Sequence, residues 1–198
     1  MFKSKEIRWF NSNEDPAISA WFEENGYLFE NTEARIDHYL PLKEKEDIGI
    51  KLGENNIEVK QRLSRSEKEK LVSRVKGYFE EYVKWSFSSA EDDSLAHEIT
   101  EGDNYVWIPV KKERIGFKLT EIFNGEIKRI KIDEFPDFGC QVEYTRIKVK
   151  DDIYYTFALE WFGDKELNID LSIIKDIIGE NRLKASNSMG YAEFLNKF

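Results

Sequence analysis

The pattern that most limits what this chain can fold into is a run of short strands with charge on one face and apolar side chains on the other. It is densest from Arg35 to Arg62, RIDHYLPLKEKEDIGIKLGENNIEVKQR. Alternation there predicts strands over Glu33–Leu42, Asp47–Gly53 and Ile57–Leu63, with a tight turn at Glu54-Asn55-Asn56 joining the last two. Successive side chains of a strand point to opposite faces. Arg35, Asp37 and Tyr39 therefore share a face, opposite Ala34, Ile36 and Leu40. In the third strand Glu58, Lys60 and Arg62 oppose Ile57, Val59 and Leu63. A face of that kind is either solvated or lines something anionic.

The same reading extends along the chain. Lys3–Phe10 predicts a strand with Glu6 and Arg8 on one face and Ile7 and Trp9 on the other. Asp15-Pro16 is an N-cap followed by proline at the first helical position, and Gly26 ends the helix. Ser66–Lys76 carries a weak helical start. Lys76–Ser88 predicts one long strand, with Phe79, Val83, Trp85 and Phe87 opposite Tyr78, Glu80, Tyr82 and Lys84. Ser89–Asp103 reads as a polar insertion with a short helix at Ser94–Thr100. Tyr105–Lys118 is a strand that Pro109 assigns to an edge or a bulge; Lys112, Arg114 and Lys118 share a face of it. Asn124-Gly125 is a hairpin signal leading to a strand at Glu126–Asp133. Cys140–Lys150 and Ile153–Phe162 form a further hairpin, in which Tyr155, Phe157, Leu159 and Trp161 make one apolar face. The period then becomes helical at Leu171, Ile174, Ile177 and Ile178, with Gly179 as the stop. A last short helix spans Gly190–Phe198.

About eight or nine strands joined by short turns predict an α+β, mainly β fold. The expected form is one domain over residues 1–198, an antiparallel sheet closed into a barrel with a few helices outside. The helices need apolar partners, and the aromatic strand faces supply them. The charged faces then point inward, as a wet tunnel, because burying that many unpaired charges is prohibitive. A barrel with its charged faces outside is the competing reading. His38 falls on the apolar face of its strand and reads as a packed histidine, and Cys140 as a small buried residue.

Composition excludes other classes. The chain of 198 residues is 40% hydrophobic and 14% aromatic, which fits a globular fold rather than disorder. A net charge of −9 argues against a general nucleic-acid binder, but leaves room for a local basic pocket. A single cysteine allows neither a disulfide framework nor a cysteine metal cluster. No secretory leader or membrane-length apolar run is present, so the expected location is cytoplasmic.

The charged strands resemble those of the CYTH domain, the fold of the triphosphate tunnel metalloenzymes. The resemblance covers nearly the whole chain. It rests on Glu6-Ile7-Arg8-Trp9-Phe10, on Arg35 ahead of Tyr39-Leu40, on DIGIKLGE with Lys51, and on IEVKQR with Glu58, Lys60 and Arg62. Lys111-Lys112-Glu113-Arg114, FGCQVEYT with Glu143, FALEWFG with Glu160 and Ser188-Met189-Gly190-Tyr191 complete it. It implies a tunnel in which Arg8, Arg35, Lys51, Lys60, Arg62 and Arg114 hold a small phosphate anion. It also implies that Glu6, Glu58, Glu143 and Glu160 hold Mg²⁺ or Mn²⁺, which take carboxylate oxygens.

The chain departs from the family pattern at the metal side. The alternating Glu-x-Glu-x-Lys of the first strand is Glu6-x-Arg8-x-Phe10 here, and the late Glu-x-Glu is Glu143-x-Thr145 or Glu160-x-Phe162. Arg8 then either holds phosphate directly or pairs with Glu143 or Glu160 and closes the metal site. Two functions follow: a metal-dependent phosphohydrolase acting on a triphosphate or organic phosphate, or a non-catalytic barrel that binds an anionic ligand or a protein partner.

Overall fold

The computed structural model describes residues 2–54, 56–88, 94–101 and 106–198. Its strands are β1 (Phe2–Asn11), β2 (Arg35–Leu40), β3 (Ile48–Gly53), β4 (Asn56–Arg65), β5 (Glu69–Val72), β6 (Val75–Gly77), β7 (Glu80–Ser88), β8 (Ile108–Glu121), β9 (Ile127–Lys131), β10 (Gly139–Val149) and β11 (Asp152–Phe162). Its helices are α1 (Pro16–Glu24), α2 (Ser94–Glu101), α3 (Ser172–Ile178) and α4 (Tyr191–Leu195). Eight strands run in the order β10-β11-β1-β7-β4-β3-β2-β8, and β8 pairs back to β10, which closes the barrel. Every one of these pairings is antiparallel. β9 adds to the free edge of β8, and β5–β6 is a separate hairpin.

The two faces of the sheet divide as alternation requires. On β1, β8, β10 and β11 the outward residues are apolar, and they form one core with the helices. Ile7, Trp9, Phe117, Val142, Tyr144, Phe157 and Leu159 pack there with Ile18 and Phe22 of α1 and Ile174, Ile177 and Ile178 of α3. Burying side chains of this size is worth roughly 1.5–3 kcal/mol each. Asp15 caps α1, its carboxylate accepting from the Ala17 and Ile18 amides at 3.1 and 3.3 Å. The face with Tyr155, Phe157, Leu159 and Trp161 lies against this helical layer, as expected. Because α1 and α3 both lie on that side, the outer face of β2, β4 and β7 is less covered: Ile36, Leu63 and Phe87 are more than half exposed. His38 is on this outer face, in register with Leu52 and Pro109.

A second core fills one end of the barrel. Phe10, Tyr39, Ile108, Val110, Ile147 and Val149 point inward there and pack against Met189, Phe194 and Leu195 of the C-terminal segment. Phe10 and Phe194 stack with ring centroids 4.0 Å apart. Arg62 and Arg65 of β4 hold this segment through Glu193, at 3.5 and 2.7 Å. The interior is thus a cup, closed at the α4 end.

Some local expectations are corrected. Ser66–Lys76 is no helix: it contains β5 and most of β6. The long strand over Lys76–Ser88 is broken at Tyr78-Phe79, whose amides donate to Ser188 Oγ and Ser66 Oγ, each at 3.0 Å, instead of to a neighbouring strand. Pro109 sits at no bulge, and it is at an edge only locally, paired to β2 on one side and unpaired on the other. It is the second residue of β8, ahead of the first β10 pairing at Val110, where a missing amide costs no ladder bond to β10. The Asn124-Gly125 turn joins β8 to β9 as a short 3₁₀ segment, Phe123–Gly125. The helix at Ser94–Glu101 is present. Asn55 of the predicted turn, Ser89–Asp93 and Gly102–Asp103 of the polar insertion, and Tyr105 at the start of the predicted β8 lie outside the described residues.

Candidate functional site

Strand register, not local sequence, assembles the cup's interior. Across neighbouring strands Arg65, Glu80, Glu6, Glu160, Gln141 and Lys118 stand in one row. The next row on the closed side runs Arg8, Ala158, Glu143, Gly116. A third runs Ser86, Glu58, Lys51, Tyr39. The cavity they enclose has a volume of about 710 Å³. Eight basic side chains line it: Arg8, Arg35, Lys51, Lys60, Lys84, Lys112, Arg114 and Lys118. Six acidic ones do so too: Glu6, Glu54, Glu58, Asp133, Glu143 and Glu160. The lining therefore leans positive in a chain whose net charge is −9.

The acidic side of the cup is already neutralised. Arg8 Nε lies 2.6 Å from Glu6 Oε1, and its Nη1 lies 2.7 Å from Glu143 Oε1. Lys60 Nζ lies 2.5 Å from Glu6 Oε2 and 3.2 Å from Glu160. Glu58 is taken by Lys51 at 2.8 Å and Lys84 at 3.1 Å. Burial alone would raise the Glu6 pKa, but Lys60 and Arg8 hold it down at about 2. The same contest, decided by Arg8 and Arg114, holds Glu143 at about 2. Burial would lower Lys60, yet Glu160 and Glu6 keep it well above the ordinary lysine value.

The opposite side has cations in excess. Asp37 on β2 is buried, and three cations converge on its Oδ2: Lys112 at 2.8 Å, Lys51 at 3.6 Å and Arg35 at 3.6 Å. A Cβ at Gly53 would run into Asp37 Oδ1, so any larger residue there would push the carboxylate from its place. Burial would raise Asp37, but Lys112, Lys51 and Arg35 hold it at about 2. Lys112 shows what the crowding costs: burial, with Arg35 and Arg8 nearby, outweighs Asp37 and brings it down to about 8. Lys51 is lowered as well, by burial and by Lys112. Arg114 meets a carboxylate only at 3.7 Å, from Glu143. Thr145, in register with Arg114, lines the cavity, and its buried Oγ1 has no hydrogen-bond partner among the described residues.

Floor and mouth differ in kind. Tyr39 and Tyr191 stack at the floor, 5.4 Å apart. Lys112 Nζ sits 4.0 Å and the Arg8 guanidinium 5.0 Å from the Tyr191 ring. Phe2, Ile132, Phe135, Pro136 and Phe162 ring the mouth. Phe135 is 92% exposed, with Lys118 Nζ 4.6 Å from its ring.

Of the residues singled out in the sequence, Glu6, Arg8, Arg35, Lys51, Glu58, Lys60, Arg114, Glu143 and Glu160 do line one cavity. Arg62 does not; it is spent on Glu80 and Glu193. Sequence reading missed Asp37, Lys112, Lys84 and Thr145 as site residues. Their common signal was the parity of their positions on charged strand faces, which was visible for Asp37, Lys84 and Lys112. The expected Mg²⁺ or Mn²⁺ fits this donor set poorly. Among the described residues no three His, Cys, Asp or Glu side chains are placed to hold a metal ion. Arg8 and Lys60 stand between the carboxylates that would have to share one.

An antiparallel barrel with a charged, blind-ended interior is the class that fold and site define. No family model matches the chain, and no curated protein matches it. Among solved structures, a conserved hypothetical protein from Pyrococcus furiosus is similar at 14% identity and a TM-score of 0.47, over 95% of this chain and 98% of that one. The PH1012 protein of Pyrococcus horikoshii OT3 is similar at 17% identity and a TM-score of 0.44, over 92% and 93%. No helix among the described residues is long and apolar enough to cross a membrane.

Proposed function

We propose that this barrel, CYTH-like in the placement of its charged strand faces, binds a phosphate-bearing organic anion in its cup. The observation that carries the reading is the convergence of Arg35, Lys51 and Lys112 on the single carboxylate of Asp37. Arg35 and Lys51 also meet Glu54 and Glu58, at 3.2 and 2.8 Å, so Arg35, Lys51, Lys84, Lys112 and Arg114 on this wall face Asp37, Glu54 and Glu58. The surplus of cations is one that a polyanion relieves. Arg114 and the unpartnered Thr145 hydroxyl extend the surplus along the same wall. Hydrogen bonds to charged groups contribute roughly 1.5–3 kcal/mol each, so about three to five of them match the roughly 8 kcal/mol of micromolar binding. The cavity's size and its mouth favour an organic part to the ligand. Pockets of roughly 300–1,000 Å³ suit drug-sized ligands, and the aromatic rim of Phe2, Phe135 and Phe162 offers an apolar ring a place above the phosphates.

Calorimetry at low ionic strength tests this with ATP and tripolyphosphate as probes and sulfate as control. ATP should bind in the micromolar range, tripolyphosphate more weakly, and sulfate hardly at all. Arg114→Met and Lys51→Met should each weaken ATP by about tenfold or more, the loss of one charge-assisted contact. Equal, weak binding of all three anions, unchanged in both variants, would sink the proposal.

A further inference from the structure

We infer that Arg8 and Lys60 are built-in replacements for a divalent cation, so that the cup takes its anion without a metal. The need for positive charge is set by the sheet. In register, Glu80, Glu6 and Glu160 stand directly beside one another on β7, β1 and β11. Like charges directly opposite in a sheet repel, and Glu143 adds a fourth carboxylate one row away. Glu80 is met by Arg62 and by the Tyr82 hydroxyl. The other three could be neutralised by a bound divalent ion or by side chains, and this chain supplies side chains.

Both cations are placed by the backbone. Arg8 is two residues from Glu6, so it shares the inward face of β1. Between Arg8 and Glu143 in register is Ala158, whose methyl group leaves the guanidinium room to reach across β11. Arg8 and Lys60 together engage both oxygens of Glu6, at 2.6 and 2.5 Å, and one oxygen each of Glu143 and Glu160, at 2.7 and 3.2 Å. Mg²⁺ demands near-octahedral oxygen ligands at about 2.0–2.1 Å. A divalent ion at this spot would have to displace a guanidinium that cannot shed its charge. A metal would also add two positive charges where two already sit.

This goes beyond the anion-site reading and stands on a separate measurement, made with metal alone. Mn²⁺ is titrated into the metal-stripped full chain and followed by the loss of the free-ion electron paramagnetic resonance signal. The wild type should leave the signal intact at millimolar Mn²⁺, and its melting temperature should be the same in Mg²⁺ and in EDTA. The double variant Arg8→Gln/Lys60→Met frees Glu6, Glu143 and Glu160 and should quench the signal at Mn²⁺ concentrations about tenfold lower or less, the effect of roughly 1.4 kcal/mol of added ligation. If the double variant fails to fold by circular dichroism, the wild-type titration decides alone. Stoichiometric Mn²⁺ binding by the wild type, lost in Glu143→Gln, would overturn the inference, as would a folded double variant that binds no better than wild type. Failure of ATP to bind would count against the proposed function and leave this result standing.

Discussion

Lys112 is the residue on which the site's response to pH should turn. It is buried beside Asp37 and Tyr39, donating to the tyrosine oxygen at 2.6 Å, and burial with its cationic neighbours brings it down to about 8. In the empty cup it loses its proton as pH rises through that value. Anion affinity, measured by calorimetry, should therefore hold steady from pH 6 to 7.5 and fall above about 8. Lys112→Arg should flatten the profile, since guanidinium stays charged. A flat wild-type profile would remove Lys112 from the anion's contacts. Folding answers with the opposite sign. Between about 8 and the ordinary value of 10.5 the unfolded chain holds the proton more tightly, so this group makes the fold more stable as pH rises. The shift itself was not legible beforehand, because Lys112 acquires its neighbours from β2 and β3, from about sixty to nearly eighty positions away in sequence, as set by register.

At the scale of elements, the strands announced themselves and their partners did not. Alternation in Ile57–Leu63 or Ile153–Phe162 is a local signal, and β4 and β11 contain those residues within a few positions of the expected ends. β5 was missed and β6 was merged into the expected strand Lys76–Ser88, because what holds β6 apart is distant: Val75 bridges to Leu183, and the Trp9 indole donates to the Lys76 carbonyl at 2.9 Å. The aromatic core that closes the cup was likewise invisible, since Phe10 and Phe194 lie at opposite ends of the chain. It makes a sharp prediction. Phe194→Ala should cost roughly 3–5 kcal/mol, the range for removing a buried phenylalanine, read as a lower urea midpoint. A loss under about 1 kcal/mol would mean that α4 contributes little to the fold. At the other end, Phe135→Ala removes an exposed ring at the mouth. It should leave the urea midpoint unchanged and weaken ATP while sparing tripolyphosphate. Equal weakening of both would show that the rim does not hold the organic group.

For the whole molecule, paired internal charge implies sensitivity to acid. Glu6 and Glu143, ordinarily near 4.5, and Asp37, ordinarily near 3.8, are each held at about 2 in the folded chain. Their contribution is present in full above the unfolded values and is lost as pH falls from about 4.5 towards 2. Each is worth on the order of 3 kcal/mol, so urea midpoints should drop steeply across that window. A protein as stable at pH 2.5 as at pH 7 would contradict the pairing described for the interior. Added salt should do little to these buried pairs and more to the capture of anions from solution, which screening slows. The closed end carries a further meaning for what such a vessel can recognise. With α4 and its aromatic partners filling one end, a chain molecule cannot be threaded through. It can only be probed from a terminus, with its last charged groups at the floor and the remainder projecting past Phe135. Whatever enters must back out by the same door, and a long polymer would be read by its end and never by its middle.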